Sequence, residues 1–260
     1  VYEKTQDGVF GSDEKIKVLD LKLKDDYKTG YFGRVSGASD FGLARKNNPF
    51  YEGEVLFNYF KGSTKISVFG LGTNTPRSSF GWNDVSRFGL ENESTGDPWN
   101  SNTNTNTGIP RTLKTGFYFA DKFGKKNNTA VQVNYTYYNN ELVTNSVNRT
   151  QFFLPDTTYY TSDSTSNINR TESHRVNVTV ESKLDSLTKI RIKPTISIDQ
   201  ARTDYYNFTE YESSNNEKSL ATTINNGSNS RGNNIGVLAN LERKFMKPKR
   251  LFQFDYFFNW

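Results

Sequence analysis

The residues of this chain that could do chemistry are few, and they do not form a catalytic set. The sequence has one histidine, His174, and no cysteine among its 260 residues. A serine hydrolase needs a serine, a histidine and an acid in one arrangement, and many Ser and Asp residues meet the sequence condition by chance. His174 stands where a long connection enters a predicted strand, so a residue at the rim of a sheet is the better interpretation. We expect no enzymatic activity and no cofactor.

Two sets of loop residues are candidates for binding. Segment 97–104, Asp-Pro-Trp-Asn-Ser-Asn-Thr-Asn, offers oxygen ligands for calcium. It lacks the dense carboxylates and the fixed glycine of a dedicated calcium loop, so we interpret it as a solvated loop and predict no metal site. The second set is aromatic and could stack on a ligand, or alternatively pack the loops together or lie at a membrane interface. Its members are Trp82, Trp99, Tyr159, Tyr160, Tyr205 and Tyr206.

Composition excludes several classes of protein. The net charge is +5, with the charges spread along the chain and no basic stripe, so nucleic acid is not an expected partner. No window approaches the roughly 18 consecutive apolar residues of a membrane-spanning helix. Hydrophobic residues make up only 33% of the chain, yet it has 20 Phe and 15 Tyr. Few apolar residues with many aromatics suit a protein that shows its apolar side chains outward in a thin band.

The elements that position these residues are predicted to be strands. Alternation is cleanest in segment 131–137, where Val131, Val133, Tyr135 and Tyr137 alternate with polar residues. Side chains of a strand point alternately to opposite faces, so this strand has one apolar and one polar face. A first strand is predicted at 15–24, and nine more follow at 31–38, 51–60, 65–73, 113–123, 129–139, 174–183, 189–199, 233–245 and 250–260.

The connections between these strands alternate in length. Short turns are predicted at 61–64, 124–128, 185–187 and 247–249, and longer connections at 41–50, 74–112, 140–173 and 200–232. Short turns on one side and long extracellular loops on the other are typical of a transmembrane β-barrel of the outer-membrane type. Loops of this length are uncommon inside a compact soluble domain.

The two faces of the later strands separate by polarity. Because a lipid-facing Arg or Lys near the midplane costs about 2–4 kcal/mol, we predict that the polar set faces a wet lumen. The set predicted to face outward is Val176, Val178, Val180, Ile190, Ile192, Ile196, Ile198, Ile235, Val237, Ala239, Leu241, Phe252, Phe254, Tyr256, Phe258 and Trp260. The interleaved set is Asn177, Thr179, Glu181, Arg191, Lys193, Thr195, Ser197, Asp199, Asn240, Glu242, Gln253, Asp255 and Asn259. The earliest strands, with Gly33, Gly37, Gly70 and Gly72, alternate less cleanly.

The predicted number of barrel strands is nine, whereas bacterial single-chain barrels have an even number. We therefore expect an incomplete barrel of about nine strands in this sequence. The alternative is that Trp260 is the true C-terminus, since outer-membrane proteins often end in an aromatic strand.

Several segments together match a known family. They are 1–4 (Val-Tyr-Glu-Lys), Gly11, 18–24, 30–35 (Gly-Tyr-Phe-Gly-Arg-Val), 51–58, 123–126 (Phe-Gly-Lys-Lys) and 153–160 (Phe-Leu-Pro-Asp-Thr-Thr-Tyr-Tyr). In this combination the chain resembles the outer-membrane β-barrels of Bacteroidetes that are similar to TonB-dependent receptors. The resemblance implies that residues 1–27 are the C-terminal end of a plug domain and that 28–260 are a partial barrel. It also implies a TonB-type periplasmic energy-coupling partner.

Three functional hypotheses follow. The first is a receptor-like barrel in the outer membrane of a Gram-negative bacterium, surrounded by lipid, that binds an unidentified extracellular ligand and takes it up. The second is a structural or assembly scaffold of the outer membrane that transports nothing. A TonB-box upstream in the parent gene would favour transport over the scaffold. The third is a soluble β-sandwich that binds sugar, which would be recovered without detergent.

Overall fold

The computed structural model describes residues 2–5, 15–18, 29–43, 48–75, 108–124, 127–155, 157–213, 218–246 and 250–260. Every regular element in these ranges is a strand, which confirms the predicted all-β class. No helix long and apolar enough to cross a membrane occurs in the described ranges. Strands β1 (Tyr2–Thr5) and β2 (Lys15–Val18) pair antiparallel as a sheet of their own. The rest of the predicted strand 15–24 lies outside the described residues, and the assignment of 1–27 to a plug stays a prediction.

The main sheet is a meander of nine antiparallel strands, as predicted. Each strand pairs with its neighbours in sequence, and β3 and β11 are the two edges of the described sheet. The strands are β3 (Thr29–Ser39), β4 (Tyr51–Lys61), β5 (Thr64–Thr73), β6 (Ile109–Phe123), β7 (Thr129–Phe153), β8 (Thr158–Lys183), β9 (Thr188–Ser213), β10 (Lys218–Lys244) and β11 (Leu251–Asn259).

Four of these strands are much longer than predicted. Strands β7 to β10 have 25, 26, 26 and 27 residues, so most of segments 140–173 and 200–232, which the sequence predicts as long connections, lies in strands. Both segments continue the antiparallel ladders to hairpin ends. We call them the protruding hairpins. The third predicted loop, 74–112, lies outside the described residues from 76 to 107, and its last residues belong to β6.

The short turns lie at the opposite ends of the strands. β4 and β5 are joined by Gly62 and Ser63, and Gly62 has a φ of 60°, which glycine adopts without steric cost. In the turn between β8 and β9, Asp185 accepts hydrogen bonds from the N–H groups of Leu187 and Thr188, both at 2.7 Å. The Leu187 N–H and the Thr188 hydroxyl hold the pKa of Asp185 below its usual range. The predicted turn at 247–249 lies outside the described residues.

The register of the sheet keeps all the predicted outward residues of β8 to β11 on one face. We call this the apolar face and the other the polar face. One row of the apolar face crosses all nine strands through directly opposed neighbours. It contains Gly33, Phe57, Val68, Phe117, Tyr135, Val176, Ile196, Ile235 and Trp260.

Glycine explains why the first strands alternate less cleanly. Gly33, Gly37, Gly70 and Gly72 all lie on the apolar face, where they occupy positions that carry apolar side chains in the later strands. Gly37 and Gly72 both oppose Gly53 of β4, so three strands share one row without side chains. The period of two is therefore kept in β3 and β5, although hydrophobicity alone does not reveal it.

Burial is inverted relative to a protein that folds in water. On the apolar face Phe57 is 43% exposed, Val68 45% and Ile196 41%, whereas Glu54 and Lys114 on the polar face are 2% and 1% exposed. Water-soluble proteins rarely expose a contiguous apolar surface of this kind. In β4 to β6 the opposite face is buried, and it holds these charged residues together with the apolar side chains of Leu56, Phe69 and Leu71. The sheet therefore turns the apolar face toward its surroundings and the polar face inward.

Candidate functional site

The apolar face has a limited height. On β9 its apolar positions run from Ile190 to Ile198, about 21 Å along the axis of a barrel whose strands are tilted by about 40°. This agrees with the roughly 25 Å band that outer-membrane barrels present to lipid. Pro194 lies in the middle of the band, opposite Val237. It has no N–H to donate, and the β8–β9 pairing is interrupted between Asn177 and Val180 before it continues in the same register.

His174 marks the upper boundary of this band. Its Nδ1 lies 3.0 Å from the Tyr135 hydroxyl, its ring centroid 4.8 Å from that of Tyr137, and its Nε2 3.4 Å from a Glu172 carboxylate oxygen. The neighbouring Ser173 lies on the polar face and donates its hydroxyl to Asp199 instead. His174 therefore lies at the edge of the apolar rows, and within the described ranges the polar side chains beside its ring are Tyr135 and Glu172.

Above the band, the polar face of the protruding hairpins carries a ladder of uncharged groups. The Thr203 hydroxyl donates to Asn169 Oδ1 at 2.8 Å, and Asn207 Nδ2 donates to the Thr165 hydroxyl at 3.0 Å. Such cross-strand pairs stabilise antiparallel strands by roughly 0.2–1 kcal/mol each. They hold β8 and β9 together where neither face is apolar.

The other face of the same hairpins carries charges. Arg170 donates from Nε to Glu141 at 2.8 Å and from Nη1 to Asp204 at 2.9 Å. Arg202 on β9 also donates to Asp204, at 3.1 Å from Nη2. The hydrogen bond to Glu141 is the main reason why the pKa of Arg170 is raised. The outward face thus changes from apolar to charged immediately beyond His174.

The four candidate tyrosines that the structure describes do not lie together. Neighbours in a strand point to opposite faces, so Tyr159 and Tyr205 lie on the polar face and Tyr160 and Tyr206 on the apolar-face side. Tyr205 stands eight residues from Ser213, the partner of Tyr159, so the two polar-face tyrosines are about 26 Å apart along the strands.

The rings of the hairpin ends have specific partners. Tyr159 stacks on Phe152 with ring centroids 4.7 Å apart, and Tyr160 receives the Arg149 guanidinium at 5.0 Å. Trp82, Trp99 and segment 97–104 lie outside the described residues.

A buried cluster on the polar face of β3 to β7 was missed at the sequence level. Glu54 forms an ion pair and hydrogen bond with Arg34, and Lys114 Nζ lies 5.1 Å from the centre of the Tyr138 ring. The signal was a polar residue beside apolar-face positions in each strand, namely Glu54 in β4, Lys114 in β6 and Asn134 in β7. Asn134 Oδ1 is buried without a hydrogen-bond partner, so this face retains an unused acceptor.

The described residues contain no group of three or more His, Cys, Asp and Glu side chains able to hold a metal ion.

Comparisons with known proteins identify no family. No family model matches the sequence, and no curated protein matches it. Among solved structures, the chain is similar to the siderophore receptor PiuA from Acinetobacter baumannii, at 9% identity and a TM-score of 0.25. The similarity covers 94% of this chain and 47% of the receptor, so the chain spans about half of that protein's length. The function proposed below therefore rests on the geometry of this chain.

Proposed function

We propose that this chain is part of the wall of a receptor-like β-barrel in the outer membrane of a Gram-negative bacterium, and that the barrel binds an extracellular ligand and takes it up. The observation that carries the proposal is the inverted sheet. An apolar face in register across nine strands is exposed, while charged and amide groups on the opposite face are buried.

The inversion also argues against the soluble sandwich. A sandwich buries the apolar face of each sheet against a second sheet, about 10 Å away. In the described part of this chain no second sheet covers the apolar face, and Phe254, Tyr256 and Phe258 on it are between 42% and 53% exposed. Lipid is the surrounding that stabilises such a face, because it requires no hydration of the apolar side chains.

The ligand-binding half of the proposal is supported by the polar face of the protruding hairpins. Its amides and hydroxyls, together with Tyr159 and Tyr205, form a surface that offers hydrogen bonds and ring stacking to a ligand. Uptake and a TonB-type partner belong to the proposal through the family resemblance, and the absence of enzymatic activity belongs to it because the sequence offers no catalytic set. The alternative, a scaffold that transports nothing, predicts the same sheet in the membrane but no uptake of a ligand.

The membrane half is tested by fractionation. The full-length protein should sediment with outer membranes, resist extraction by high salt and alkali, and dissolve in detergent as a heat-modifiable species. Full recovery in the soluble fraction would overturn the barrel.

The uptake half is tested by comparing cells with and without the gene for depletion of medium components, measured by mass spectrometry. A component depleted only by cells with the gene identifies the ligand. Tyr205→Ala should then slow its uptake, whereas Tyr206→Ala, on the opposite face, should not. Equal depletion of every component by both strains would favour the scaffold.

A further inference from the structure

A row of arginines follows the apolar band on its outward side. Arg111, Glu141, Arg170 and Arg202 are directly opposed across four neighbouring strands. Arg231 stands two residues nearer the band, opposite Gln200. All five side chains lie on the apolar-face side of the sheet, so they follow the lipid-facing residues without a change of face. We call Arg111, Arg170, Arg202 and Arg231 the arginine belt.

The belt begins within the headgroup layer, with Arg231 inside that layer and the row of Arg111, Arg170 and Arg202 just above it. Arg231 lies two residues beyond the band residue Asn233, and Arg202 four beyond Ile198, which places them about 5 and 10 Å above the last apolar row. The polar layer of a bilayer is roughly 5–8 Å thick on each side. Long arginine side chains extend along the surface toward such a layer. Tyr137 and His174, at the boundary, are the amphipathic rings expected at that depth.

The belt carries donors that the protein itself does not use. Arg170 lies between Glu141 and Asp204 and is hydrogen-bonded to both. Arg111 reaches Glu141 only at 3.8 Å, with a side chain 54% exposed. Arg231, which is exposed, forms no ion pair with any described residue. These guanidinium groups are planar and charged and present parallel N–H donors, which is the geometry that a phosphate accepts best.

We propose that the arginine belt binds the phosphate of an anionic lipid headgroup at the outward membrane interface. The inference rests on the proposed membrane orientation of the apolar face. Lipid is the source of the phosphate because the belt adjoins the apolar band: an acyl chain below it contacts residues such as Ile198 while the headgroup meets the guanidinium groups. A soluble phosphate compound has no acyl chain to contact that adjacent apolar surface.

Native mass spectrometry of the full-length protein in neutral detergent tests the proposal, with phosphatidylglycerol titrated against phosphatidylcholine. Phosphatidylglycerol should bind more tightly. Arg231→Gln should weaken its binding about fivefold, and combined Arg111→Gln and Arg231→Gln about 25-fold. Arg175→Gln is the control for the opposite face, because Arg175 lies on the polar face, three residues below the row of Arg231. Unchanged thermal unfolding in phosphatidylcholine would show that the variants fold.

Three outcomes would overturn the proposal that the arginine belt binds a lipid phosphate. Equal binding of the two lipids, or equal weakening by Arg231→Gln and Arg175→Gln, would remove the role of this face. Competition by glycerol phosphate at the concentration of the lipid would assign the site to a soluble ligand. Failure of the proposed function is distinguishable from these results, because a protein outside the membrane is recovered without detergent before any lipid is added.

Discussion

The orientation of the sheet is tested most directly at two neighbouring residues of β8. Val178 lies on the apolar face, opposite Val133, and belongs to the middle one of the five apolar rows between Ile190 and Ile198. Thr179 lies on the polar face, opposite Gln132. An arginine at the lipid midplane costs about 2–4 kcal/mol, which is roughly a 30- to 900-fold change in the folding equilibrium. An arginine in a wet lumen keeps its hydration, so it should change the free energy of unfolding by no more than about 0.5 kcal/mol.

The assay is urea unfolding of the full-length protein in lipid vesicles, followed by the heat-modifiable band on gels. Val178→Arg should lower the free energy of unfolding by the lipid cost, and Thr179→Arg should leave it nearly unchanged. Val178→Leu controls for local packing beside the interrupted ladder. Equal losses for Val178→Arg and Thr179→Arg would refute the assignment of the two faces, and with it the membrane orientation.

Three further predictions concern other parts of the fold. Gly116→Ala should lower the free energy of unfolding by about 1–3 kcal/mol, because the added Cβ would meet the Phe69 ring at 2.5 Å. Gly72→Ala should not lower it, because the nearest atom to the added Cβ is 4.0 Å away. Chemical unfolding of both variants measures the difference. The lowered pKa of Asp185 stabilises the folded state above the unfolded pKa of 3.8, and this contribution is lost as pH falls through the lower folded value. Asp185→Asn should therefore destabilise the protein at neutral pH but not well below pH 3.8, and an identical deficit at both would exclude the mechanism. An epitope inserted after Pro155, at a hairpin end, should be labelled on intact cells and one after Asp185 should not, while the reverse result would invert the topology.

The parts of the strands that form the apolar band were predictable, because apolar side chains recur there on one face. The predicted starts of β4 and β7 agree with the structure, and that of β9 differs by one residue. The protruding hairpins were not predictable in this way. In 161–167, Thr-Ser-Asp-Ser-Thr-Ser-Asn, both faces of β8 are polar, so no period of two in hydrophobicity remains. Their order comes from bonds between strands, such as Thr209 to Asp163 at 2.6 Å, which a single segment does not reveal.

The candidate site was also predicted without knowledge of how the segments pair as strands. Tyr159 and Tyr160 were grouped because they are adjacent in sequence, as were Tyr205 and Tyr206. Adjacency in a loop permits a common orientation, but in a strand it separates the rings to opposite faces. The strand geometry of these segments therefore divides each pair of tyrosines between the two faces, and their role in binding stays a prediction. The proposed lumen charges, by contrast, are on one face as predicted, with Glu181 hydrogen-bonded to Arg191 at 2.5 Å.

The strict meander order has a kinetic consequence. Because every strand of the main sheet pairs only with its sequence neighbours, each ladder can grow continuously from the connection that joins its two strands. Between β7 and β8, pairing can start at Phe153 and Thr158 and proceed without a register shift to Thr129 and Ser182. An isolated hairpin forms in about 1–10 μs, and local pairing avoids the loop-closure entropy that slows sheets with distant partners. The long hairpins can therefore set their register by local pairing before the whole sheet is assembled.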